Sequence, residues 1–466
     1  MAEGYAYDVA ILGAGPGGYI AALRAAQLGG RVVLVEKDTV GGVCLNQGCI
    51  PTKSLLASCE VLATVKQAAA YGIHTTPPRV DFGAVQRRKD QVVSRLVGGV
   101  KNLLRRAGVE TLAGTGQLTG PRTLEVAAGD TVREINAASI IIATGSAPFK
   151  PPVSGTELPG VITSDEALTF SDVPQSICII GGGAIGTEFA TIFAALGSKV
   201  IIVEMLSQLV PGEDADVAAF LMKSLTRQGV TVYVDSEVET ITSRDGALAV
   251  DIVAPDGRTQ VVAQYVLLAA GRSPNTGGVG LDRLGVRMNK RFIAVDRRMR
   301  TSVPGIYAIG DAVGVPLLAH VASAEGVTAA ENALGRQSSI NYRVVPSCIF
   351  TRPEIASVGL TEKAARERFG RVKVGKFPYA ASGMALVTGH VDGFVKIVGE
   401  EKYGEILGLH IIGRGAANLI GEAVLAMSLE ATLDEVALAI HPHPTLTEAT
   451  MEAALAGLGR AVHIHG

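Results

Sequence analysis

Tyr7-Asp-Val-Ala-Ile-Leu-Gly13-Ala-Gly15-Pro-Gly-Gly18, running on to Val32-Val-Leu-Val-Glu36, decides how this chain is read. The apolar run Val9 to Leu12 meets a glycine turn. An Ala- and Leu-rich helical stretch, Tyr19 to Leu28, follows, and a second apolar run, Val32 to Val35, stops at an acid. The order is strand, glycine turn, helix, strand. Gly13, Gly15 and Gly18 fit G-x-G-x-x-G: the first makes the turn, the second lets backbone approach a pyrophosphate, and the third lets helix and strand pack closely.

The pattern recurs. Ile177 to Ile180 meets Gly181-Gly-Gly183-Ala-Ile-Gly186, a helix runs to Leu196, and Lys199-Val-Ile-Ile-Val203 ends at Glu204. In both copies the acid lies 23 residues beyond the first glycine (36 − 13 and 204 − 181). Two such units predict an α/β protein with two doubly wound, Rossmann-like nucleotide-binding domains. Glu36 and Glu204 are expected to accept hydrogen bonds from ribose hydroxyls. A carboxylate at Glu204 repels a 2′-phosphate, and Met205 to Gly212 holds no Arg or Lys to receive one, so NAD is favoured over NADP.

Composition agrees with several packed domains. The chain has 466 residues, 48% hydrophobic and 18% charged, with 56 glycines and no tryptophan. The formal charge of −2 argues against nucleic-acid or anionic-membrane binding. No apolar run approaches the roughly 18 residues of a membrane span. The opening has no signal or transit character, so a soluble, cytoplasmic protein is expected. Five scattered cysteines are too few for a disulfide scaffold, and no metal site is expected.

Further along, 80–108 reads as a long helix with a stripe at Val93, Leu96, Val97, Val100, Leu103 and Leu104, and with Arg87, Arg88 and Lys89 on a solvated face. Ala138 to Ile142 ends at Ala143-Thr144-Gly145, and Tyr265 to Ala269 echoes it before Gly271. Pro148, Pro151 and Pro152 mark a linker. From about Val344, short strands (347–350, 393–398, 406–412) precede helices at 415–430 and 433–440, as in a separate α+β domain.

Gly41-Gly-Val-Cys44-Leu-Asn-Gln-Gly-Cys49-Ile-Pro-Thr-Lys53 carries the sharpest chemistry. On one regular helix, Cys44 and Cys49 would lie about 7.5 Å apart along the axis, beyond the usual disulfide Cα separation of roughly 4.4–6.8 Å. A redox pair here requires a bend, and Asn46-Gln-Gly48 can supply it. A cysteine near a helix N-terminus has its thiolate favoured. In isolation the spacing reads as two buried free thiols; eight residues after a nucleotide-binding βαβ unit, it reads as a redox pair. Near the C-terminus, His441-Pro-His443-Pro-Thr-Leu-Thr-Glu448 places an imidazole five residues from a carboxylate, a pairing suited to a base near neutral pH, or else two loop histidines beside a helix start. His463 and His465 read as tail residues.

GAGPGG, GGVCLNQGCIPTK, IIATGS, GGGAIGTE, YAIGD, LLAH, FTRPEIASVGLTE and HPHPTLTE, in that order over nearly the whole chain, resemble the pyridine nucleotide–disulfide oxidoreductases. The resemblance implies four segments: 1–147 for FAD and the cysteine pair, 148–275 for NAD, 276–343 returning to the FAD domain, and 344–466 for dimerisation. It implies FAD at Gly13, Gly15, Gly18 and Glu36, with Lys53 by the flavin ring and Asp311 on the ribitol. Thr144, Gly145, Ser146, Leu317, Leu318, Ala319 and His320 would border the cofactor, and Gly116 would lie near the adenine. NAD would meet Gly181, Gly183, Gly186, Glu188, Glu204, Val238 and Gly271. The implied activity is oxidation of protein-bound dihydrolipoyl groups with reduction of NAD, through a Cys44–Cys49 disulfide. His443 and Glu448 would complete the site of the other subunit of a homodimer, and lipoyl domains of 2-oxo acid dehydrogenase or glycine-cleavage complexes would be the partners. A glutathione-like disulfide reductase and a non-catalytic flavin-binding subunit are the alternatives; the first usually prefers NADP, and the second needs neither cysteine pair nor His443/Glu448. No cysteine follows Cys348 to serve a mercuric or large thioredoxin reductase. The chain departs from the family at Val43, often Thr, and at Ala381-Ser-Gly-Met-Ala385.

Overall fold

The computed structural model describes residues 4–314 and 316–464; His465 lies outside the described residues. Strand Tyr7–Leu12 is flanked in parallel by Val32–Glu36 and by the second half of Thr131–Ile142, with Leu12 in register with both Val35 and Ile142. Glu110–Ala113 extends the sheet beyond Val32–Glu36, and Ile306–Ala308 joins it beside Ile140–Ile142. Val9, Ala10 and Ile11 are buried, as in a sheet covered on both faces. The first half of Thr131–Ile142 turns out to pair antiparallel with Thr123–Ala128, which pairs with Thr115–Gly120.

A second parallel sheet repeats the arrangement. Ser176–Ile180 lies between Lys199–Val203 and Tyr265–Leu268, with Thr231–Tyr233 and Val161–Ile162 at the edges. A three-stranded meander, 237–263, packs beside it. The C-terminal region is a five-stranded antiparallel sheet, 346–412, carrying helices Ala416–Ser428, Leu433–Leu438 and Glu448–Gly457. Two of its strands, Ile355–Gly359 and Val372–Pro378, escaped the sequence reading; the first is short with Ser357 at its centre, and Lys373, Gly375 and Lys376 break up the second.

The long helix spans Phe82–Arg106 and buries Val97, Val100 and Leu104. Two expectations on it fail. Leu96 and Leu103 are exposed, so the buried stripe is narrower than the hydrophobic pattern. Lys89 is buried rather than solvated: its ammonium donates to the Leu168 carbonyl at 2.7 Å and lies 3.2 Å from Asp90. A neighbouring element supplies the acceptor, and the aliphatic stem tolerates burial once the charge is satisfied.

Candidate redox and dinucleotide site

The chain leaves each parallel sheet at the carboxyl ends of its strands, the edge where such folds bind ligands. At the first edge stand Gly13, Glu36, Thr144, Gly145, Ser146 and Asp311, each at or beyond the end of a strand of one sheet. Gly13 has φ +105°, and a Cβ there would strike the Ala143 backbone. Helix Pro16–Gln27 begins with Gly15 at its N-cap and no side-chain cap, while the space beside Gly15 is open. Its free first-turn N–H groups suit a phosphate. Glu36 accepts from the Ala14 N–H (2.7 Å) and the Asp38 N–H (2.9 Å), which fixes its carboxylate at the turn. The hydroxyl of Thr144 is buried without a partner. A glycine cradle, uncapped helix amides and an orphaned hydroxyl together fit a dinucleotide such as FAD.

Ser146 donates to Asp311 at 2.5 Å and accepts from Arg272 Nε at 2.7 Å. Arg272 also donates to the Ser146 carbonyl, and Asn275 to the Thr144 carbonyl. Sequence reading missed Arg272 and Asn275; their only signal was their place just after Gly271. Gly116 lies in strand Thr115–Gly120 close to the side chain of Leu12, where a Cβ would crowd it. Leu317 is exposed, Leu318 caps helix Ala319–Ala333, and His320 Nε2 lies 2.8 Å from the Pro346 carbonyl.

The second edge reproduces the first. Gly181 has φ +108°, Gly183 is an uncapped helix start with open space beside it, and a Cβ on Gly186 would strike the Gly181 carbonyl. Glu204 accepts from the Gly182 N–H (2.6 Å) and the Leu206 N–H (2.9 Å). Gly271 follows the strand Tyr265–Leu268, and Val238 sits in the meander opposite Ile252.

Between the edges lies the cysteine segment. Helix Gly42–Asn46 stops, Gln47 and Gly48 leave helical geometry, and helix Cys49–Gln67 begins with Cys49 at its first position. The break brings the two side chains together as free thiols, Cys44 hydrogen-bonded to Cys49. Val43 sits at this break, its carbonyl accepting from the Gln47 N–H. The Cys49 thiol is lowered to about 7, chiefly by the Cys44 hydrogen bond, with the Lys53 charge adding to it against the opposing effect of burial. Cys44 is pushed far up by donating that bond and by burial. Of the two sulfurs, Cys49 is the one whose anion the surroundings favour.

One turn along, Lys53 Nζ contacts both Glu188 oxygens at 2.8 and 2.7 Å and lies over the Phe350 ring at 4.8 Å. Glu188 also accepts from the Phe350 N–H at 2.9 Å. Glu188, expected on the NAD, stands on helix Ala184–Leu196, which packs Phe189 and Phe193 against Leu55 and Cys59 of the cysteine helix. Burial of Leu55 contributes about 1.5–3 kcal/mol to holding that contact. The ion pair thus joins the two nucleotide-binding edges.

His443 Nδ1 lies 2.9 Å from Glu448 Oε1, and Glu448 Oε2 accepts from the Thr445 N–H at 2.8 Å. The His443–Pro444 peptide is cis. Burial alone would raise the Glu448 carboxyl, but the Thr445 N–H and the His443 ring together hold it below the usual range. The imidazole is exposed, and among the described residues its Nε2 has no hydrogen-bond partner. Among the described residues, neither side chain hydrogen-bonds to segment 44–53. His463 pairs with Glu452 at 2.6 Å. The departing segment at Ala381 to Ala385 is a 3₁₀ turn followed by a short helix capped by Ser382, and Tyr71 is tied to its far end through the Thr388 carbonyl.

Residues 7–326 match the profile of the pyridine nucleotide-disulphide oxidoreductases, and 345–454 that of the family's dimerisation domain. The chain belongs to the pyridine nucleotide-disulphide oxidoreductases. Among proteins similar to this oxidoreductase, dihydrolipoyl dehydrogenase of Thermus scotoductus is 44% identical over 98% of the chain and 99% of its own length. Dihydrolipoyl dehydrogenase of Zymomonas mobilis is 42% identical with the same coverage. LpdA of Mycobacterium tuberculosis has a solved structure that superposes on this oxidoreductase with a TM-score of 0.89 at 29% identity, covering 96% of this chain and 98% of its own. The HOCl-induced flavoprotein disulfide reductase RclA of Escherichia coli gives 0.85 at 28%, covering 96% and 99%.

Proposed function

We propose that this oxidoreductase is a dihydrolipoyl dehydrogenase: it oxidises protein-bound dihydrolipoyl groups to lipoyl groups and reduces NAD to NADH. The observation that carries the reading is the pair of adjacent thiols, Cys44 and Cys49, brought together by the break between two helices, with Cys49 at a helix start next to Lys53–Glu188.

In the oxidised protein Cys44 and Cys49 are joined. His443, oriented by Glu448, takes the proton of one substrate thiol. The resulting thiolate bonds to Cys44 Sγ as the Cys44–Cys49 bond breaks, and Cys49 leaves as a thiolate. Lys53 and the helix start favour that anion, and a leaving thiol of lower pKa departs faster. The second substrate thiol then bonds to the first substrate sulfur, and its proton passes to the Cys44 sulfur as that sulfur is expelled. The lipoyl disulfide departs, leaving the pair reduced. FAD, when bound, would supply the two-electron chemistry between the cysteine pair and NAD. Gly13, Gly15, Gly18, Glu36, Ser146 and Asp311 would hold the FAD, and Gly181, Gly183, Gly186 and Glu204 the NAD.

His443 and Glu448 lie in the dimerisation domain, without contact to the cysteines of their own chain. We assign them to the cysteine pair of a second copy in a homodimer. Lipoyl domains of 2-oxo acid dehydrogenase or glycine-cleavage complexes are the proposed partners, in the cytoplasm; among the described residues no helix is long and apolar enough to cross a membrane.

The test compares dihydrolipoamide with reduced glutathione as donors for NAD reduction. Dihydrolipoamide is expected to be strongly preferred, and His443→Gln to slow its turnover by about 10²–10⁴-fold while NADH oxidation by an artificial acceptor is retained. Equal use of glutathione, or equal losses in both assays, would overturn the assignment.

A further inference from the structure

Asp311 hangs on a loop that a buried carboxylate supports from behind. Glu325, in helix Ala319–Ala333, is fully buried. One of its oxygens accepts from the Gly310 N–H at 2.5 Å, and the other accepts from the Tyr342 hydroxyl at 2.6 Å. Gly310 has φ +67° and opens the single 3₁₀ turn that presents Asp311 to Ser146. The strand Ile306–Ala308 has ended by then, leaving Glu325 to satisfy the Gly310 N–H. A buried N–H in that position costs about 1–3 kcal/mol when left unpaired.

The base of Glu325 is rigid. Its neighbour Gly326 lies where helix Ala319–Ala333 crosses helix Pro16–Gln27: a Cβ on Gly326 would strike the Gly17 backbone, and one on Gly17 would come within 2.9 Å of the Ala322 carbonyl. Glu325 thus takes its position from the helix whose start faces the first dinucleotide turn. It passes that position to Gly310, and Tyr342 holds its free end from the segment leading into the dimerisation domain. Burial pushes its carboxyl up, against the pull of the two donors. An apolar residue would fill this volume at less cost, so a carboxylate here points to a need for its two acceptors.

We propose that Glu325, braced by Tyr342, is a positioning residue that sets the Asp311 loop for FAD. It touches neither substrate nor reacting atoms. The proposal rests on the flavoprotein reading above, and its test needs no lipoyl substrate. Apoprotein of each variant is titrated with FAD, following the quenching of flavin fluorescence and the position of the visible absorption bands.

Glu325→Ala is expected to weaken FAD binding by at least about tenfold, and Tyr342→Phe by a few-fold. Glu325→Gln is expected to stay within about threefold, because its carbonyl accepts from Gly310 while its NH₂ donates to the Tyr342 oxygen. The double variant Glu325→Gln/Tyr342→Phe strands that NH₂ and is expected to lose the rescue. Wild-type FAD affinity and band positions in Glu325→Ala would overturn the proposal. Should Glu325→Ala fail to fold, Tyr342→Phe decides: unchanged affinity and bands overturn the proposal, and a shift in either supports it. A wild-type chain that takes up no FAD would instead sink the flavoprotein reading.

Discussion

The two glycine turns are close copies in local chemistry and differ in what surrounds them. Each has a first glycine in the left-handed region, an uncapped helix start, and a glutamate spanning two backbone N–H groups. Around the first, helix Ala319–Ala333 packs directly on the turn's own helix through Gly17 and Gly326. Around the second, Ala184, Met205, Leu206 and Gly271 are exposed. The same dinucleotide device thus stands once within packed protein and once at an open rim. That contrast supports the proposal of a resident FAD at the first turn and an exchanging NAD at the second: the motif is common to both, so what distinguishes them must lie in the surroundings.

The strongest way to break this contrast is to damage one turn at a time. Gly13→Ala is expected to purify with under about a tenth of the wild-type flavin, since a Cβ there meets backbone and φ is positive. Gly181→Ala is expected to keep its flavin and to raise the NAD KM by at least about tenfold. Flavin-to-protein absorbance ratios and NAD titrations check both. A colourless Gly181→Ala protein would contradict the assignment of the two turns.

Glu204→Gln retains one acceptor and sharpens the contrast with a smaller change: NAD affinity falls about three- to tenfold with flavin content unchanged. The gentlest probe lies between the turns. Iodoacetamide alkylation of the reduced protein should follow the Cys49 thiolate, which forms as pH rises through about 7 rather than the ordinary 9.0. The rate is therefore expected to have its midpoint near pH 7 and to level off above it. Lys53→Ala moves that midpoint upward by removing a cation that favours the anion. A midpoint near 9 in the wild type would remove the polarity on which the direction of thiol attack rests.

Much of this was legible before any coordinates. The 23-residue spacing from first glycine to acid recurs because it is the length of one turn, one helix and one strand. Once Cys44 and Cys49 were read as a redox pair, helix rise required a bend between them, and the chain breaks at Gln47–Gly48. Lys89 and Leu103 show where such reasoning stops. Both sit on a strongly periodic helix, yet the charged one is buried and the apolar one exposed, because Leu168 of another segment supplies an acceptor at one site and, among the described residues, the other is left uncovered. Arg272 was invisible for a related reason: its importance lies in meeting Ser146, 126 residues away.

By itself the sequence determined the two nucleotide-binding units, the bent cysteine pair and the His443–Glu448 couple, because each is a short stretch whose spacing and backbone demands are local. Only the tertiary structure decided that Lys53 meets Glu188, that Ser146 bridges Arg272 and Asp311, and that Glu325 stands behind Gly310. Those contacts join residues brought together by helix crossings and sheet order, and their strength depends on burial, which no local pattern encodes.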